Sequence, residues 1–203
     1  MKALLCLLLL SSVVVSAQVG DKSTAAKVLD AVQPLNPWEN QFCITIDGAF
    51  PVASMSKEIA GGIGFNAVYY YHAFSHNQFL SFGVGYFSMP YVAIANYHYS
   101  TVPIQVGYRY NFEIRSVQPY VGFELGAMYT TSVILSDTTR SSIDYRTQTT
   151  FPFIATAKTG VRVPLDKNVD MDAHVKYNYA ASSPSFQFIS AGVGVSFRFD
   201  TKH

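Results

Sequence analysis

Hydrophobic and polar residues alternate with a period of two through most of the chain. This alternation is typical of β-strands whose two faces meet different surroundings. In the first such run, Phe42, Ile44 and Ile46 share one face, while Thr45 and Asp47 share the other. The pattern predicts a series of strands, in the runs 42–50, 62–73, 80–88, 102–112, 117–130, 151–163, 168–180 and 188–199.

The connections between these runs alternate in length. The longer ones cover 51–59, 89–100, 131–150 and 180–186, and the shorter ones cover 74–79, 113–116 and 164–168. Long loops at one end and tight turns at the other are typical of up-and-down barrels in an outer membrane. Strands of roughly 9 to 13 residues are also long enough to cross the hydrocarbon layer, which takes ~9–11 tilted residues. We therefore predict an all-β fold, an eight-stranded antiparallel up-and-down transmembrane β-barrel with short periplasmic turns and longer extracellular loops.

The competing interpretation is a soluble eight-stranded barrel of the lipocalin kind, with its apolar face inside. Glycine crowds the polar face, however, and Lys and Glu are sparse there, which suits a narrow interior better than a solvated exterior. Aromatic residues gather near strand ends on the apolar face, as they do at membrane–water interfaces. The predicted interface aromatics are Trp38, Tyr69, Tyr71, Tyr108, Tyr110, Phe112, Tyr177, Tyr179, Phe197 and Phe199. We predict that the apolar face contacts lipid.

Composition and the chain ends narrow the class of protein further. Charged residues make up 13% of the chain, whereas a soluble domain usually carries about 25%. A formal net charge of +1 argues against nucleic-acid partners. We interpret residues 1–17 as a signal peptide, 18–40 as a periplasmic tail or short plug helix, 41–199 as the barrel and 200–203 as a C-terminal tail. Without the signal peptide Cys43 is the one cysteine left, so an intramolecular disulfide is excluded.

The face predicted to line the barrel interior carries nearly balanced charges. Its candidate residues are Asp47, Arg109, Glu124, Lys158, Arg162, Asp170, Asp172, His174, Lys176 and Arg198. An eight-stranded barrel is just wide enough to be filled by side chains, so we predict a charge network in which Asp170 and Asp172 pair with Arg162, Arg198 or Lys158. We predict no metal and no cofactor, because alternate residues of a strand lie ~6.6 Å apart and do not by themselves converge on one ion.

The strand pattern, the loop asymmetry, the signal peptide and the last strand, FISAGVGVSFRF, together resemble small bacterial outer-membrane barrels of the OmpA, OmpX and OmpW type. The resemblance covers 41–199 and implies a place in the bacterial outer membrane. It also implies two kinds of partner, the outer-membrane lipids including lipopolysaccharide, and the barrel-assembly machinery that recognises an aromatic-ended last strand. The chain departs from the pattern because Asp200 to His203 follow Phe199. A closed barrel has no free strand edge, so we expect a monomer.

One triplet was weighed as a catalytic motif. His98, Tyr99 and Ser100 resemble the His-x-Ser pair of the outer-membrane lipid A deacylase family, which also needs a carboxylate. The next acid, Glu113, follows a whole strand, so it is expected at the opposite end of the barrel. We therefore predict no enzyme activity. The expected function is a structural or surface-interaction role with a side-chain-filled interior, and the alternative is a narrow conduit for small or hydrophobic solutes.

Overall fold

The computed structural model describes residues 39–73, 75, 77–93, 97–112, 117–139, 142–182 and 185–200. Its strands are β1 (Glu39–Pro51), β2 (Gly62–His72), β3 (Gln78–Pro90), β4 (His98–Asn111), β5 (Gln118–Thr139), β6 (Ser142–Thr150), β7 (Phe153–Asp166), β8 (Val169–Ala181) and β9 (Phe186–Asp200). A 3₁₀ turn at Ala53–Lys57 follows β1. Within the described ranges, no helix is long and apolar enough to span a bilayer. The predicted signal peptide, Trp38 and most of the predicted N-terminal tail or plug helix lie outside the described residues.

The strands form one closed antiparallel sheet. Eight of them pair in the circular order β1, β2, β3, β4, β5, β7, β8, β9, and β9 pairs again with β1. The predicted all-β, eight-stranded antiparallel barrel is therefore confirmed. We call the end at which β1, β3, β5 and β8 terminate the loop end, and the opposite end, at which β2, β4, β7 and β9 terminate, the turn end.

The register fixes the width of the barrel. A path that starts at Gln41 and follows directly opposed residues around the eight strands returns to β1 at Pro51, ten residues farther along. With strands about 4.8 Å apart and a rise of about 3.3 Å per residue, this stagger tilts the strands by roughly 40°. At that tilt the 13 residues of β1 rise about 32 Å, more than the ~25 Å apolar band of an outer-membrane barrel.

The largest difference from the sequence prediction concerns the segment 131–150, which was expected to be a loop. Instead, β5 has 22 residues and continues beyond the ring as a hairpin with β6. The first part of β5 pairs with β7, and the part from Thr130 to Thr139 pairs with β6. The segment is rich in threonine, and β-branched residues favour strands. The hairpin therefore extends the barrel wall at the loop end.

Several strand boundaries also differ from those predicted. β1 begins at Glu39 and β9 ends at Asp200, so each includes residues that were assigned to a terminal tail. β4 begins at His98, which was expected to lie in a loop. β1 thus begins three residues and β4 four residues before the predicted start, and the alternating pattern defines the ends of strands less well than their middles.

The outward face of the barrel is apolar over the middle of the strands. Ile46, Ile104 and Val193 are exposed by 58%, 62% and 60%. Of the predicted interface aromatics, Tyr69, Tyr71, Tyr108, Tyr110, Phe112, Phe197 and Phe199 lie toward the turn end, whereas Tyr177 and Tyr179 lie toward the loop end. An exposed aliphatic belt between two aromatic bands is the surface that lipid tails and the two bilayer interfaces require.

Hydrogen bonds tie the connections of the loop end together. Ile59 forms an isolated β-bridge with Tyr91, and the Val92 N–H donates to the Glu58 carbonyl at 2.8 Å. The Tyr91 hydroxyl accepts a hydrogen bond from the Val133 N–H of the hairpin at 3.1 Å. The β1–β2 connection, the end of β3 and the hairpin thus brace one another.

The apolar belt gives a direct test of the membrane orientation. Replacement of Ile104 by Arg places a charge in the middle of the lipid-facing surface and should lower the free energy of unfolding by about 2–4 kcal/mol. The measurement is urea unfolding of the protein folded into phospholipid vesicles. Val92→Arg is the matched control, because Val92 is similarly exposed at 61% but lies outside the strands. Equal effects of the two substitutions would show that Ile104 does not face lipid.

Candidate functional site in the barrel lumen

The structure places all of the predicted lumen residues inside the barrel wall. Their side chains are exposed by 7% or less in every case, namely Asp47, Arg109, Glu124, Lys158, Arg162, Asp170, Asp172, His174, Lys176 and Arg198. The period of two explains this placement, because inward positions recur at every second residue of each strand. The lumen is therefore a buried, strongly charged space.

Glycines on the inner face make room for these charged side chains. Gly192 on β9 lies directly opposite Asp47 on one side and His174 on the other. A Cβ at Gly192 would collide with the Asp47 carboxylate. The glycine thus lets side chains from two non-adjacent strands meet across the strand between them. Gly122 on β5 has the same position between Arg109 and Lys158.

His174 is the centre of the first charged cluster. Its Nδ1 lies 2.8 Å from Asp172 Oδ1, and its Nε2 lies 3.2 Å from Asp47 Oδ2. Only the imidazolium form carries a proton on both nitrogens, so donation to both carboxylates requires charged histidine. Asp47 also contacts Lys176 Nζ at 3.3 Å and accepts a hydrogen bond from the Thr45 hydroxyl at 2.8 Å. With His174 charged, the two carboxylates and the two cations balance.

Asp170 forms the second cluster, close to the turn end. It accepts a hydrogen bond from Arg162, and Arg198 Nη2 lies 3.3 Å from its Oδ1. Arg198 also donates to the Asp166 carbonyl at 2.9 Å. Asp170 thus contacts two of the cations predicted for it. Asp172 lies directly opposite Arg162 on β7, yet its Oδ1 accepts hydrogen bonds from His174, two residues along the same strand, and from a tyrosine hydroxyl described below.

The third cluster combines cations with aromatic rings. The Arg109 guanidinium carbon lies 3.6 Å from the centroid of the Tyr70 ring and 4.9 Å from that of Phe79, and Arg109 donates to Gln41. Lys158 Nζ donates to the Tyr70 hydroxyl at 2.7 Å. A cation above an aromatic ring is attracted to the negative face of the π-system, and the attraction is stronger when the cation is desolvated.

Tyr120 links this third cluster to the first. Its ring centroid lies 5.2 Å from the Arg109 guanidinium carbon and 5.5 Å from Lys158 Nζ. Its hydroxyl donates to Asp172 Oδ1 at 3.0 Å. Hydrogen bonds and ring contacts therefore connect β2, β4, β5, β7 and β8 across the lumen.

A polar chain crosses the lumen nearer the loop end. Gln105 donates to the Thr156 hydroxyl at 2.7 Å, and that hydroxyl donates to Asn178 Oδ1 at 2.9 Å. The Asn178 amide in turn donates to Ser190 Oγ at 3.3 Å. These bonds join β4, β7, β8 and β9 directly.

The loop end of the lumen holds an apolar cluster that the sequence reasoning did not identify. Its buried members are Ala49, Ile59, Phe87, Met89, Tyr99, Met128, Ile154, Ala180, Phe186 and Phe188. Aromatic contacts run through it, with Phe87 and Phe188 centroids 5.3 Å apart and Tyr99 and Phe186 centroids 4.6 Å apart. The period of two contained the signal, because Phe87 and Met89 share their face with Gly85, and Phe188 shares its face with Ser190.

Two kinds of site suggested by the sequence, a metal site and a His-x-Ser motif, can be compared with the structure. Among the described residues, no group of three His, Cys, Asp or Glu side chains is arranged to hold a metal ion. His98 Nδ1 lies 3.3 Å from Ser88 Oγ, and Ser100 Oγ lies 3.4 Å from the Tyr86 hydroxyl, so His98 and Ser100 have separate partners. Glu113 lies outside the described residues.

The comparisons with known proteins agree with this geometry. A family model described as Opacity family porin protein matches residues 104–200, which include most of β4 and all of β5 to β9. Three solved outer-membrane proteins resemble the whole barrel. Neisserial surface protein A has a TM-score of 0.57 and 20% identity, and the match covers 82% of this chain and 100% of that one. No curated protein sequence matches the chain.

The other two structures are more distant in sequence. The attachment invasion locus protein Ail of Yersinia pestis has a TM-score of 0.55 and 16% identity, with 79% of this chain and 98% of that one covered. A major outer-membrane protein of Thermus thermophilus has a TM-score of 0.54 and 10% identity, with 79% and 99% covered. At such identities the likeness establishes the fold, and the exposed apolar belt indicates that the outer surface of the barrel contacts lipid. The chain is a small eight-stranded bacterial outer-membrane β-barrel. In outer-membrane barrels of this kind the turn end faces the periplasm and the loop end faces outward.

The Asp170 cluster of this outer-membrane barrel allows a test of its charge pairing. Asp170→Leu leaves Arg162 buried without its carboxylate and should lower the free energy of unfolding by about 3–5 kcal/mol. The double variant Asp170→Leu/Arg162→Met removes both charges and should recover most of that loss, since an apolar pair can replace a buried ion pair. Urea unfolding in vesicles measures both variants. A double variant less stable than Asp170→Leu would refute the pairing.

Proposed function

We propose that this outer-membrane barrel is a non-enzymatic protein that acts through its outward surface, with the loop-end hairpin as its principal binding element. The observation that carries the proposal is the apolar cluster at the loop end of the lumen. Ten buried apolar side chains occupy the part of the interior that faces outward. A solute arriving from outside would have to displace this packed group, and displacement of close-packed side chains is costly.

The hairpin supports the same proposal. Beyond the ring, β5 and β6 remain paired as far as Thr139 and Ser142, and the Tyr91 hydroxyl braces β5 at Val133. A braced two-stranded ladder holds its shape, so a partner binding to it loses less entropy than one binding to a mobile loop. Arg146 on β6 and Lys57 on the 3₁₀ turn are exposed at this end and favour an anionic partner.

Two further partners are part of the same proposal, because the barrel lies in the outer membrane: the surrounding lipids and the barrel-assembly machinery. The apolar belt and its aromatic bands would contact outer-membrane lipids, including lipopolysaccharide in the outer leaflet. The barrel-assembly machinery would insert the chain through its last strand, β9, which carries Phe197 and Phe199. Each of the eight ring strands pairs with a neighbour on both sides, so the ring has no free strand edge and the barrel would work as a monomer.

Conductance separates a surface function from the alternative of a narrow conduit. We expect the purified, folded protein to give no steady current above that of a protein-free planar bilayer, because apolar side chains and the charged clusters fill the lumen. A conduit would give a current that changes in Lys158→Met, a lumen substitution. The current would be the same in the control variant Lys167→Met, since Lys167 is exposed on the turn between β7 and β8. That pattern would refute the surface proposal.

The role of the hairpin can be tested with a soluble probe. Ail of Yersinia pestis has been solved in complex with the heparin analogue sucrose octasulfate, which makes this polyanion a suitable ligand for calorimetry. A variant in which Asn-Gly replaces 133–147 should still close its hairpin, because Ser132 and Gln148 are directly paired and Asn-Gly favours a two-residue turn. We expect this variant to fold and to lose affinity at least tenfold.

Two further variants sharpen that experiment. Arg146→Gln should weaken binding by part of the same amount, whereas Lys167→Met, at the turn end, should leave it unchanged. Unaltered binding by the shortened variant would show that the hairpin is not the binding element for this probe.

A further inference from the structure

Arg109 and Lys158 are buried cations whose described partners are all neutral. Arg109 donates to the Gln41 side-chain carbonyl, Lys158 donates to the Tyr70 hydroxyl, and both lie against the Tyr70 ring. The other buried cations differ, because Arg162 and Arg198 contact Asp170 and Lys176 contacts Asp47. Among the described residues, neither Arg109 nor Lys158 forms an ion pair.

Arg109 also has unused hydrogen-bond donors. Its Nε and Nη1 are buried and have no hydrogen-bond partner among the described residues, and the whole side chain is 2% exposed. A buried, unsatisfied donor on a charged group costs more than a neutral one. Two carboxylates lie near these cations. Asp172 is hydrogen-bonded to His174 and Tyr120, and within the described lumen Glu124 makes no hydrogen bond to either cation, so Arg109 and Lys158 together exceed the charge of Glu124 by one.

The two cations flank a residue that has no side chain. Arg109 and Lys158 lie directly opposite Gly122, one on each side of β5. Gly192 has the same position between Asp47 and His174, and there the flanking side chains meet across the glycine, with His174 Nε2 3.2 Å from Asp47 Oδ2. At Gly122 both flanking side chains are positive, so they repel each other and cannot pair across the glycine.

We propose that Arg109 and Lys158 bind a small monovalent anion of the halide class between their side chains. The free Nε and Nη1 of Arg109 and the spare protons of Lys158 Nζ supply the donors. The Tyr70 hydroxyl accepts from Lys158 and therefore keeps its own proton to donate to the anion. One negative charge neutralises the excess that Arg109, Lys158 and Glu124 leave. The site does not depend on the proposed surface function.

Bromide is the probe for the experiment. The protein folded in vesicles is unfolded with urea at constant ionic strength while sodium bromide replaces sodium gluconate. For a single site of the folded state, the unfolding equilibrium constant should fall about tenfold for each tenfold rise of bromide above the dissociation constant. Crystals grown in bromide should show an anomalous peak within hydrogen-bonding distance of Arg109 Nε and Lys158 Nζ.

Matched lysine variants identify the site. Lys158→Met should abolish the bromide dependence, whereas Lys176→Met, which removes a buried lysine with a carboxylate partner, should retain it. The same bromide dependence in both variants, or none in the wild type, would overturn the proposal. If Lys158→Met does not fold, the crystals of the wild type decide, because water without anomalous signal between Arg109 and Lys158 would equally overturn it.

Discussion

Closure of the backbone hydrogen-bond ladder is the constraint on which the rest of the molecule depends. In a bilayer no water is available to an unpaired N–H or C=O, so a sheet that crosses it must close on itself. Here β9 pairs with β1 along Glu39–Pro51, and the circuit returns ten residues farther along the strand. Strand number and stagger together set the radius and tilt. Each side chain within the ring then faces either lipid or a narrow lumen.

The narrowness of that lumen explains its contents. Charges removed from water are costly unless they are paired and hydrogen-bonded, and a barrel of this radius places inward side chains of opposite walls within reach of one another. Inner-face glycines then decide which of them meet, because a strand without a side chain lets its two neighbours approach across it. Asp47 and His174 meet over Gly192 in this way. Toward the loop end the inward residues become apolar, and packing replaces pairing as the source of stability.

The sequence was sufficient for the fold and for the direction of most side chains, because period-two alternation is a local property. It assigned Asp47, Asp172 and Lys176 to the inner face directly. The same reasoning extended by a few residues would have placed Phe87 and Phe188 inside as well. Contact partners were harder to predict, because they depend on the stagger, which only closure of the whole ring determines. Asp172 was expected to pair with an arginine or lysine, and it does lie opposite Arg162, but its Oδ1 hydrogen-bonds to His174 on the same strand and to Tyr120 on β5. The hairpin was missed because its threonine-rich strands resemble a polar loop in composition.

The charged clusters and the apolar cluster of the lumen both restrict conformational change inside the ring. The charged half, toward the turn end, ties β1, β2, β4, β5, β7, β8 and β9 together through side chains that leave few rotamers free, and the apolar half occupies the interior beneath the loop end. A large conformational change inside the ring would break buried ion pairs and open cavities at once, and both are costly. The hairpin is different, because beyond the ring β5 and β6 pair with each other, and no residue of β6 belongs to the apolar cluster or to the described ion pairs. If the protein acts through its surface as proposed, the sequence can therefore vary in the β5–β6 hairpin at the loop end without a change in the barrel. The hairpin extends beyond the closed ring, so ring closure does not constrain it.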